Sequence, residues 1–332
     1  MLSAGQKSTN VPIDRLSHFK QQFIPTTRHY YANMSSNNPQ DHNNDQFKLE
    51  NLYNVKDKVA LVTGGGSGIG LMAVQALAVN GAKVYITGRT EEKLDRVAET
   101  YGKNAAGSII PLTADISKKD SIKELYSAFS KQEKRLDILV NNAGVSTGST
   151  NTDAGSAEAL KKELFENESA TFQDWDNIFR TNVSQIFFMT AAFLPLLDAG
   201  SQQHPGWSST VLNITSISGM VKTSQHHPNY NASKAAAIHL NRMLANEIQE
   251  NGLKIRVNSL APGVFPSEMT TSESGANQKS AIPKDKFEGK VPAQRPGNDR
   301  DMANAVLFAV SNQYFNGQNF AVDGGYTLAA GM

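Results

Sequence analysis

The sequence predicts a single α/β domain built on a doubly wound, seven-stranded parallel sheet. From Val59 onward, short apolar and β-branched runs alternate with longer stretches of helical period, which is typical of βαβ units. A glycine-rich turn joins the first of these runs to the first helical stretch, Ile69 to Asn80, which stops at Gly81. The 332 residues suffice for such a sheet, which needs about 250. The expected strands are Val59–Thr63, Lys83–Thr87, Ile109–Thr113, Leu136–Asn141, Thr210–Ile214, Ile255–Leu260 and Asn319–Val322.

The composition excludes several kinds of chemistry. The chain has no cysteine, so disulfides, thiolate catalysis and cysteine-ligated zinc are ruled out, and we expect no metal site. Lys and Arg total 32 against 31 Asp and Glu, so no basic excess indicates a nucleic-acid surface. No run approaches the roughly 18 to 20 apolar residues of a membrane span. These features favour a small-molecule substrate.

The N-terminal segment differs from the rest of the chain. Residues 1–52 are polar, rich in Asn, Gln and Ser, and lack a sustained period, so we expect a disordered extension before a catalytic domain at 53–332. Within it, residues 1–33 carry four basic residues against one acid, a bias typical of a mitochondrial transit peptide. The alternative is a flexible tail, with Met34 as a second start. We therefore expect a cytoplasmic protein, or a mitochondrial one if this segment is a transit peptide.

The glycine-rich turn predicts a dinucleotide site. It lies directly between the first strand and the first helix, where glycines let the backbone approach a pyrophosphate held at a helix N-terminus. The alternative is a flexible turn that needs positive φ angles. The spacing Thr-Gly-x-x-x-Gly-x-Gly differs from the common Gly-x-Gly-x-x-Gly pattern, but the strand-turn-helix context favours a Rossmann-type fold. The residues expected to contact the cofactor here are Thr63, Gly64, Gly66, Ser67, Gly68, Ile69 and Gly70.

The end of the second strand favours NADP over NAD. An acid at this place accepts a hydrogen bond from the ribose 2′-hydroxyl of NAD, whereas an arginine suits the 2′-phosphate of NADP. Here Gly88 stands where the acid is expected and Arg89 follows it. Arg89 could also be a solvated turn residue, and Ser67 adds no positive charge to the glycine turn.

Tyr230 and Lys234 are four residues apart at the start of a helical stretch that runs to about Glu250, so both lie on one helix face. A phenol has a pKa near 10, and lowering it to about 7 requires roughly 4 kcal/mol of preferential stabilisation of the phenolate. A neighbouring ammonium and the positive charge of an oxidised nicotinamide are suited to that. Alone, such a pair is more often a packed aromatic beside a surface cation.

Five motifs in a fixed order favour a catalytic role for this pair. They are Thr63 to Gly70, Asn141-Asn142-Ala143-Gly144, Asn182 within Arg180-Thr181-Asn182-Val183, Ser216, and Tyr230-x-x-x-Lys234. With these motifs, the sequence resembles the short-chain dehydrogenase/reductase family across about 55 to 327. The resemblance implies an oxidoreductase that interconverts a carbonyl and a secondary alcohol. It also implies a homotetramer or homodimer formed through the long helices.

The resemblance implies a role for each catalytic residue. Ser216 is expected to hydrogen-bond and polarise the substrate oxygen, and Tyr230 to transfer the proton. Lys234 is expected to hold the nicotinamide ribose and depress the pKa of the tyrosine. Asn182 is expected to anchor a water that relays protons from Lys234. Both Ser216 and Asn182 could instead serve the backbone as capping or turn residues.

The resemblance also implies further cofactor contacts. Asp115 and Ile116 are expected beside the adenine, and Asn142 beside the adenosine ribose. Val264 is expected against the nicotinamide carboxamide. Ser267 stands a few residues beyond Gly263, where the family usually has threonine.

Two longer segments are expected to choose the substrate: Ser146 to Asp174, and the region 264–295, where Glu268 to Arg295 suits a mobile lid. The run from Asn258 to Thr270 looks most like reductases for 3-oxoacyl substrates, including the rhamnolipid-pathway subgroup. One alternative function is a non-catalytic NADP-binding sensor or scaffold. Another is a hydrolase using Ser216 with His226 or His227, but the Gly-x-Ser-x-Gly elbow is absent.

Overall fold

The computed structural model describes residues 44–271, 273–283 and 291–332. The expected transit peptide at 1–33 and the second start at Met34 lie outside this range. The same holds for most of the expected extension at 1–52. Residues 44–332 form one compact unit.

The sheet has seven parallel strands in the order β3-β2-β1-β4-β5-β6-β7, which confirms the predicted doubly wound fold. The order reverses beside β1, so the chain fills one half of the sheet before it crosses to the other. Every predicted strand is present, with ends that differ by at most two residues. The strands are β1 Val59–Thr63, β2 Lys83–Gly88, β3 Ser108–Thr113, β4 Ile138–Asn141, β5 Ser209–Ile214, β6 Ile255–Pro262 and β7 Asn319–Val322.

Helices cover both faces of the sheet, and the central strands are buried on both sides. For this reason β1, β5 and β6 are continuously buried along their length instead of alternating. Two apolar cores result, one on each face. The main helices are α1 Gly68–Val79, α2 Glu91–Gly102, α3 Lys119–Gln132, α4 Ala157–Leu164, α5 Phe172–Phe179, α6 Gln185–Gln203, α7 Pro228–Glu250 and α8 Asp299–Ser311.

Residues 44–52, assigned from composition to a disordered extension, form a 3₁₀ turn at Asn44–Phe47 and a helical turn at Leu49–Leu52. The Asp45 side chain lies 2.8 Å from Lys48 Nζ, and the Asp45 carbonyl accepts a hydrogen bond from Asn51. None of these helical residues is buried. Local hydrogen bonds therefore order this stretch without adding it to the core.

The segment Phe172–Gln203 is a continuous helical stretch that is long and apolar enough, by length and composition, to cross a membrane. Its apolar side chains pack on the sheet: Ile186, Met189 and Phe193 are 1% exposed or less and belong to one of the two cores. Packing in the fold therefore accounts for its hydropathy.

The long segment after β4, which sequence patterns do not resolve, contains α4 and the start of α5. Ser156 and Thr171 are the N-cap residues of these helices, and the side-chain oxygen of each accepts a hydrogen bond from a backbone N–H in the first turn. The segment is therefore a small helical insertion.

Candidate active site

The candidate site lies at the carboxyl ends of the parallel strands. The glycine turn follows β1, Arg89 follows β2, Asn142 follows β4 and Ser216 follows β5. Because all strands run in one direction, these loops share one edge of the sheet, where open α/β sheets bind their ligands. Helix α7 brings Tyr230 and Lys234 to the same edge.

The side-chain hydroxyls of Ser216 and Tyr230 interact. The Ser216 side chain is 8% exposed, and its oxygen accepts a hydrogen bond from the Ser218 N–H, 3.1 Å away. Burial raises the pKa of the Tyr230 phenol, and a hydrogen bond with Ser216 partly opposes this. The phenol is therefore held in its protonated, proton-donating form at neutral pH, with the serine hydroxyl beside it.

Lys234 lies beneath this pair and is 4% exposed. Its Nζ donates a hydrogen bond to the Ile214 carbonyl at 3.2 Å and lies 5.6 Å from the centre of the Tyr230 ring. Burial lowers the pKa of the Lys234 ammonium to about 8. The group still carries a positive charge at pH 7, with a single protein acceptor among the described residues.

Asn182 belongs to a π-helical turn, Arg180–Ser184, between α5 and α6. Its side chain bridges two elements: it exchanges hydrogen bonds of 2.9 and 3.0 Å with the Val145 backbone and donates to Ser233 Oγ at 3.0 Å. A Cβ atom on Gly144 would lie 3.2 Å from Asn182 Oδ1 and 3.4 Å from Lys234 Nζ. The asparagine and the lysine therefore face the same small space. Such single π turns are frequently found at functional sites.

Sequence reasoning missed one part of this site, the connection between the insertion and the catalytic helix. Asp174 Oδ2 accepts hydrogen bonds from Asn229 Nδ2 and from Thr147 Oγ1, the latter at 3.1 Å. Asn229 is buried, and its Oδ1 accepts the backbone N–H of Tyr230 at 2.7 Å. Asp174 thus holds the residue that precedes the tyrosine. The only sequence signal was the position of Asn229 beside Tyr230.

The glycine turn fits a pyrophosphate. The N-terminus of α1 has no acid in its first turn, and its N-cap residue, Ser67, makes no side-chain capping bond, so the first N–H groups are free of such a partner. A Cβ atom on Gly66 would meet nothing closer than 3.5 Å, which leaves an open approach to the backbone. Free N–H groups at a helix N-terminus attract phosphate.

Thr63 and Asn142 connect the two loops around this turn. Thr63 Oγ1 is buried and accepts the backbone N–H groups of Asn142 and Ala143, at 3.0 and 3.1 Å. Asn142 Nδ2 donates to the Thr63 and Gly64 carbonyls, at 3.0 and 3.1 Å. Both side chains therefore fix the shape of the loops, beyond any contact with a cofactor.

Arg89 and Asp115 lie at the neighbouring strand ends. Arg89 is exposed and has no hydrogen bond or ion pair within 44–271, 273–283 and 291–332. Asp115 accepts hydrogen bonds from the hydroxyl and the backbone N–H of Ser117, which hold the pKa of its carboxyl below the usual range against the effect of burial. The Ile116 side chain is 9% exposed and packs into a core.

Val264 and Ser267 come from the segment after β6. Val264 is half-buried, and its carbonyl accepts the Gly297 N–H at 2.9 Å. A Cβ atom on Gly68 would lie 2.9 Å from the Cβ of Ser267. Gly68 has a φ of +54° and faces a crowded position, so both geometry and space favour glycine there. Ser267 therefore lies directly against the glycine turn.

The hydrolase interpretation paired Ser216 with a neighbouring histidine. His226 Nδ1 instead lies 3.2 Å from Thr152 Oγ1, and its Nε2 lies 3.6 Å from Asp153 Oδ2. Both partners belong to the insertion. In the described part of the chain, the Ser216 hydroxyl interacts with Tyr230 and accepts the Ser218 N–H.

Comparison with known proteins agrees with this geometry. A family model described as short chain dehydrogenase matches residues 58–278. The chain belongs to the short-chain dehydrogenase/reductase family. It is 38% identical over 281 residues to the short-chain dehydrogenase/reductase PhomF of Diaporthe leptostromiformis, covering 82% of this chain and 92% of that protein. It is 34% identical over 279 residues to a rhamnolipids biosynthesis 3-oxoacyl-[acyl-carrier-protein] reductase of Pseudomonas aeruginosa, covering 83% and 98%.

Solved structures of this short-chain dehydrogenase/reductase family share the fold. A Pseudomonas aeruginosa RhlG/NADP active-site complex superposes with a TM-score of 0.67 at 31% identity, covering 83% of this chain and 98% of that one. An NADPH-dependent 3-quinuclidinone reductase from Rhodotorula rubra gives 0.65 at 26% identity, covering 83% and 94%. The oxidoreductase class predicted from the motifs is thereby confirmed.

Proposed function

We propose that this chain is an NADP(H)-dependent reductase of a ketone carbonyl, with Tyr230 as the proton donor, and that its substrate is a 3-oxoacyl thioester or a similarly activated carbonyl. The interaction of Ser216 with Tyr230, beside the buried Lys234, carries the proposal. The 3-oxoacyl assignment is supported by similarity to the Pseudomonas aeruginosa reductase.

The protonation states favour the direction of reduction. Burial raises the pKa of the Tyr230 phenol, so it carries a proton at neutral pH and can act as a general acid. Ser216 holds a second hydroxyl beside it, and two donors converging on one oxygen would stabilise the charge that develops there. When bound, the cofactor supplies the hydride to the carbonyl carbon.

Lys234 has a different task. With a pKa of about 8, its ammonium is charged at pH 7, and it lies too close to the ring for its charge to be screened. The Lys234 charge lowers the free energy of the phenolate that Tyr230 becomes after it has donated its proton. The remaining N–H groups are available for the hydroxyls of the nicotinamide ribose.

The cofactor preference is supported by Arg89 and by the absence of an acid at the end of β2. Arg89 is exposed and unpaired within the described residues, so forming a 2′-phosphate contact breaks no existing ion pair. NADP is also named in the RhlG complex of similar fold.

A homo-oligomer is supported by the surface of the long helix α6. Phe187 and Phe188 are 46% and 36% exposed, and their rings pack edge to face with centres 5.4 Å apart. Adjacent exposed aromatics are typical of interfaces between proteins. Light scattering on the purified protein measures the number of subunits.

The experiment that tests the function is an NADPH-oxidation screen across carbonyl classes. It should include 3-oxoacyl thioesters, diketones, simple ketones and aldehydes, each also assayed with NADH. We expect the highest kcat/KM with a 3-oxoacyl thioester and NADPH. Uniformly absent turnover, with NADPH binding retained, would favour the non-catalytic sensor instead.

A further inference from the structure

A second cation lies close to the place where the end of β2 meets the glycine turn. Lys93 is in the first turn of α2, four residues after Arg89. A Cβ atom on Gly66 would lie 3.6 Å from the Lys93 Cβ and 3.5 Å from a methyl of Leu94. A Cβ atom on Gly88 would lie 3.6 Å from the same methyl group. The glycine turn, the end of β2 and the start of α2 therefore converge at Lys93 and Leu94.

Lys93 is paired with an acid from a distant segment. Its Nζ lies 2.7 Å from Glu268 Oε1, and the two side chains are 42% and 33% exposed. Ser274 also donates to Glu268 Oε1, at 2.6 Å. These hydrogen bonds, with a smaller one from Ser67, hold the pKa of the Glu268 carboxyl below its usual range against burial. A carboxylate thus lies against the glycine turn.

The ion pair borders a cavity. Its volume is about 520 Å³, and its walls come from α2, from Glu268 and from the stretch Glu273 to Gln278. Glu92, Lys93 and Arg96 of α2 line it, together with Glu268 and Glu273. The Lys93–Glu268 ion pair is partly exposed, and exposed ion pairs contribute little to stability, so Lys93 can exchange Glu268 for a stronger partner at little cost.

We infer that Lys93 is a second 2′-phosphate ligand beside Arg89, and that the phosphate replaces Glu268 as its partner when the cofactor binds. This inference deepens the proposed NADP preference and rests on it. A phosphate carries more negative charge than the carboxylate and offers more acceptor oxygens to the ammonium. Ser67 provides no charge in the turn, so Lys93 supplies the second cation that the sequence lacks at that position.

The exchange also explains why an acid is tolerated beside the site. Glu268 neutralises Lys93 when the site is empty and competes with the 2′-phosphate for the same ammonium. Replacing Lys93 and replacing Glu268 should therefore change the affinity for nucleotides that carry a 2′-phosphate in opposite directions. Neither replacement should change the affinity for nucleotides that lack this phosphate.

Calorimetry with adenosine 2′,5′-bisphosphate and with 5′-AMP tests this without turnover. For Lys93→Met we expect a Kd for the bisphosphate about tenfold higher, the size expected for one charge-assisted hydrogen bond, with less than a twofold change for 5′-AMP. For Glu268→Gln we expect tighter bisphosphate binding, by about threefold, and again unchanged 5′-AMP. In the double variant, the Glu268→Gln gain should vanish.

Lys103→Met is the matched control. Lys103 is exposed and follows the other end of α2, about 15 Å along the helix, so its loss removes the same charge away from the site. Equal weakening of both nucleotides by Lys93→Met, no weakening, or weaker bisphosphate binding in Glu268→Gln would overturn the inference. If the unmodified protein binds 5′-AMP as tightly as the bisphosphate, the NADP assignment itself fails, which is a separate outcome.

Discussion

The Nζ of Lys234 lies 5.6 Å from the ring centre of Tyr230, and the same atom donates a hydrogen bond to the Ile214 carbonyl. The strand-end carbonyl therefore fixes the ammonium below the phenol. Tyr230 and Lys234 were four residues apart in the sequence, a spacing that more often reflects packing. The burial of the lysine, at 4% exposure, distinguishes this pair from a packed aromatic beside a surface cation.

Replacing Lys234 by Met should abolish turnover and stabilise the cofactor-free fold. The folded-state pKa of about 8 lies below the ordinary lysine pKa of 10.5, so burial of the charged form costs about 3 kcal/mol below pH 8. This cost declines as pH rises from 8 to 10.5 and disappears above it. We therefore expect the variant to be more stable than the unmodified protein at pH 7, by on the order of 1 to 3 kcal/mol, in urea unfolding.

The pH dependence separates this effect from ordinary repacking. The stability difference between Lys234→Met and the unmodified protein should shrink as pH rises from 8 towards 10.5. Lys123→Met, at an exposed site on α3, should show no such trend. A difference that stays constant with pH would show that the buried charge is not its source.

Replacing Arg89 by Ala should change cofactor preference. Arg89 follows β2 directly and is unpaired among the described residues, so its loss would remove the proposed 2′-phosphate contact without disturbing an ion pair. We expect the KM for NADPH to rise about tenfold or more, and that for NADH to change less than twofold. Steady-state kinetics with both cofactors measure this, and equal changes would contradict the NADP assignment.

Replacing Asp174 by Ala should weaken catalysis through Asn229. The carboxylate anchors Asn229, whose Oδ1 accepts the backbone N–H of Tyr230. Loss of a charge-assisted hydrogen bond of about 1.5 to 3 kcal/mol should loosen the start of α7 and lower kcat roughly tenfold, with NADPH affinity retained. Asp176→Ala, an exposed neighbour on α5, is the control. Equal kcat values for the two variants would remove Asp174 from the positioning of Tyr230.

Sequence patterns predicted the sheet well because strand burial and helix period are local properties. β1 and β7 have the predicted bounds, and α7 begins at Pro228 where the motif is placed. Side-chain partnerships are not local. Lys93 and Glu268 are 175 residues apart, and Asp174 and Asn229 are 55 apart, so no periodicity indicates that they meet.

The same limit affects individual site residues. Thr63 matches the family motif, but its hydroxyl is occupied by the loop after β4, and the Ile116 side chain turns into a core. A motif identifies which residues are close to a ligand. The structure adds which of their side chains hold the loops or pack in a core.

Tyr230→Phe tests whether Tyr230 donates the proton to the carbonyl oxygen. The variant keeps the ring and loses only the hydroxyl, so we expect NADPH binding within about twofold of the unmodified protein and kcat for the best carbonyl substrate reduced about a thousandfold or more. Tyr126→Phe is the control, since Tyr126 packs beside Phe193, away from the active-site residues. Retention of wild-type kcat in Tyr230→Phe would contradict the account.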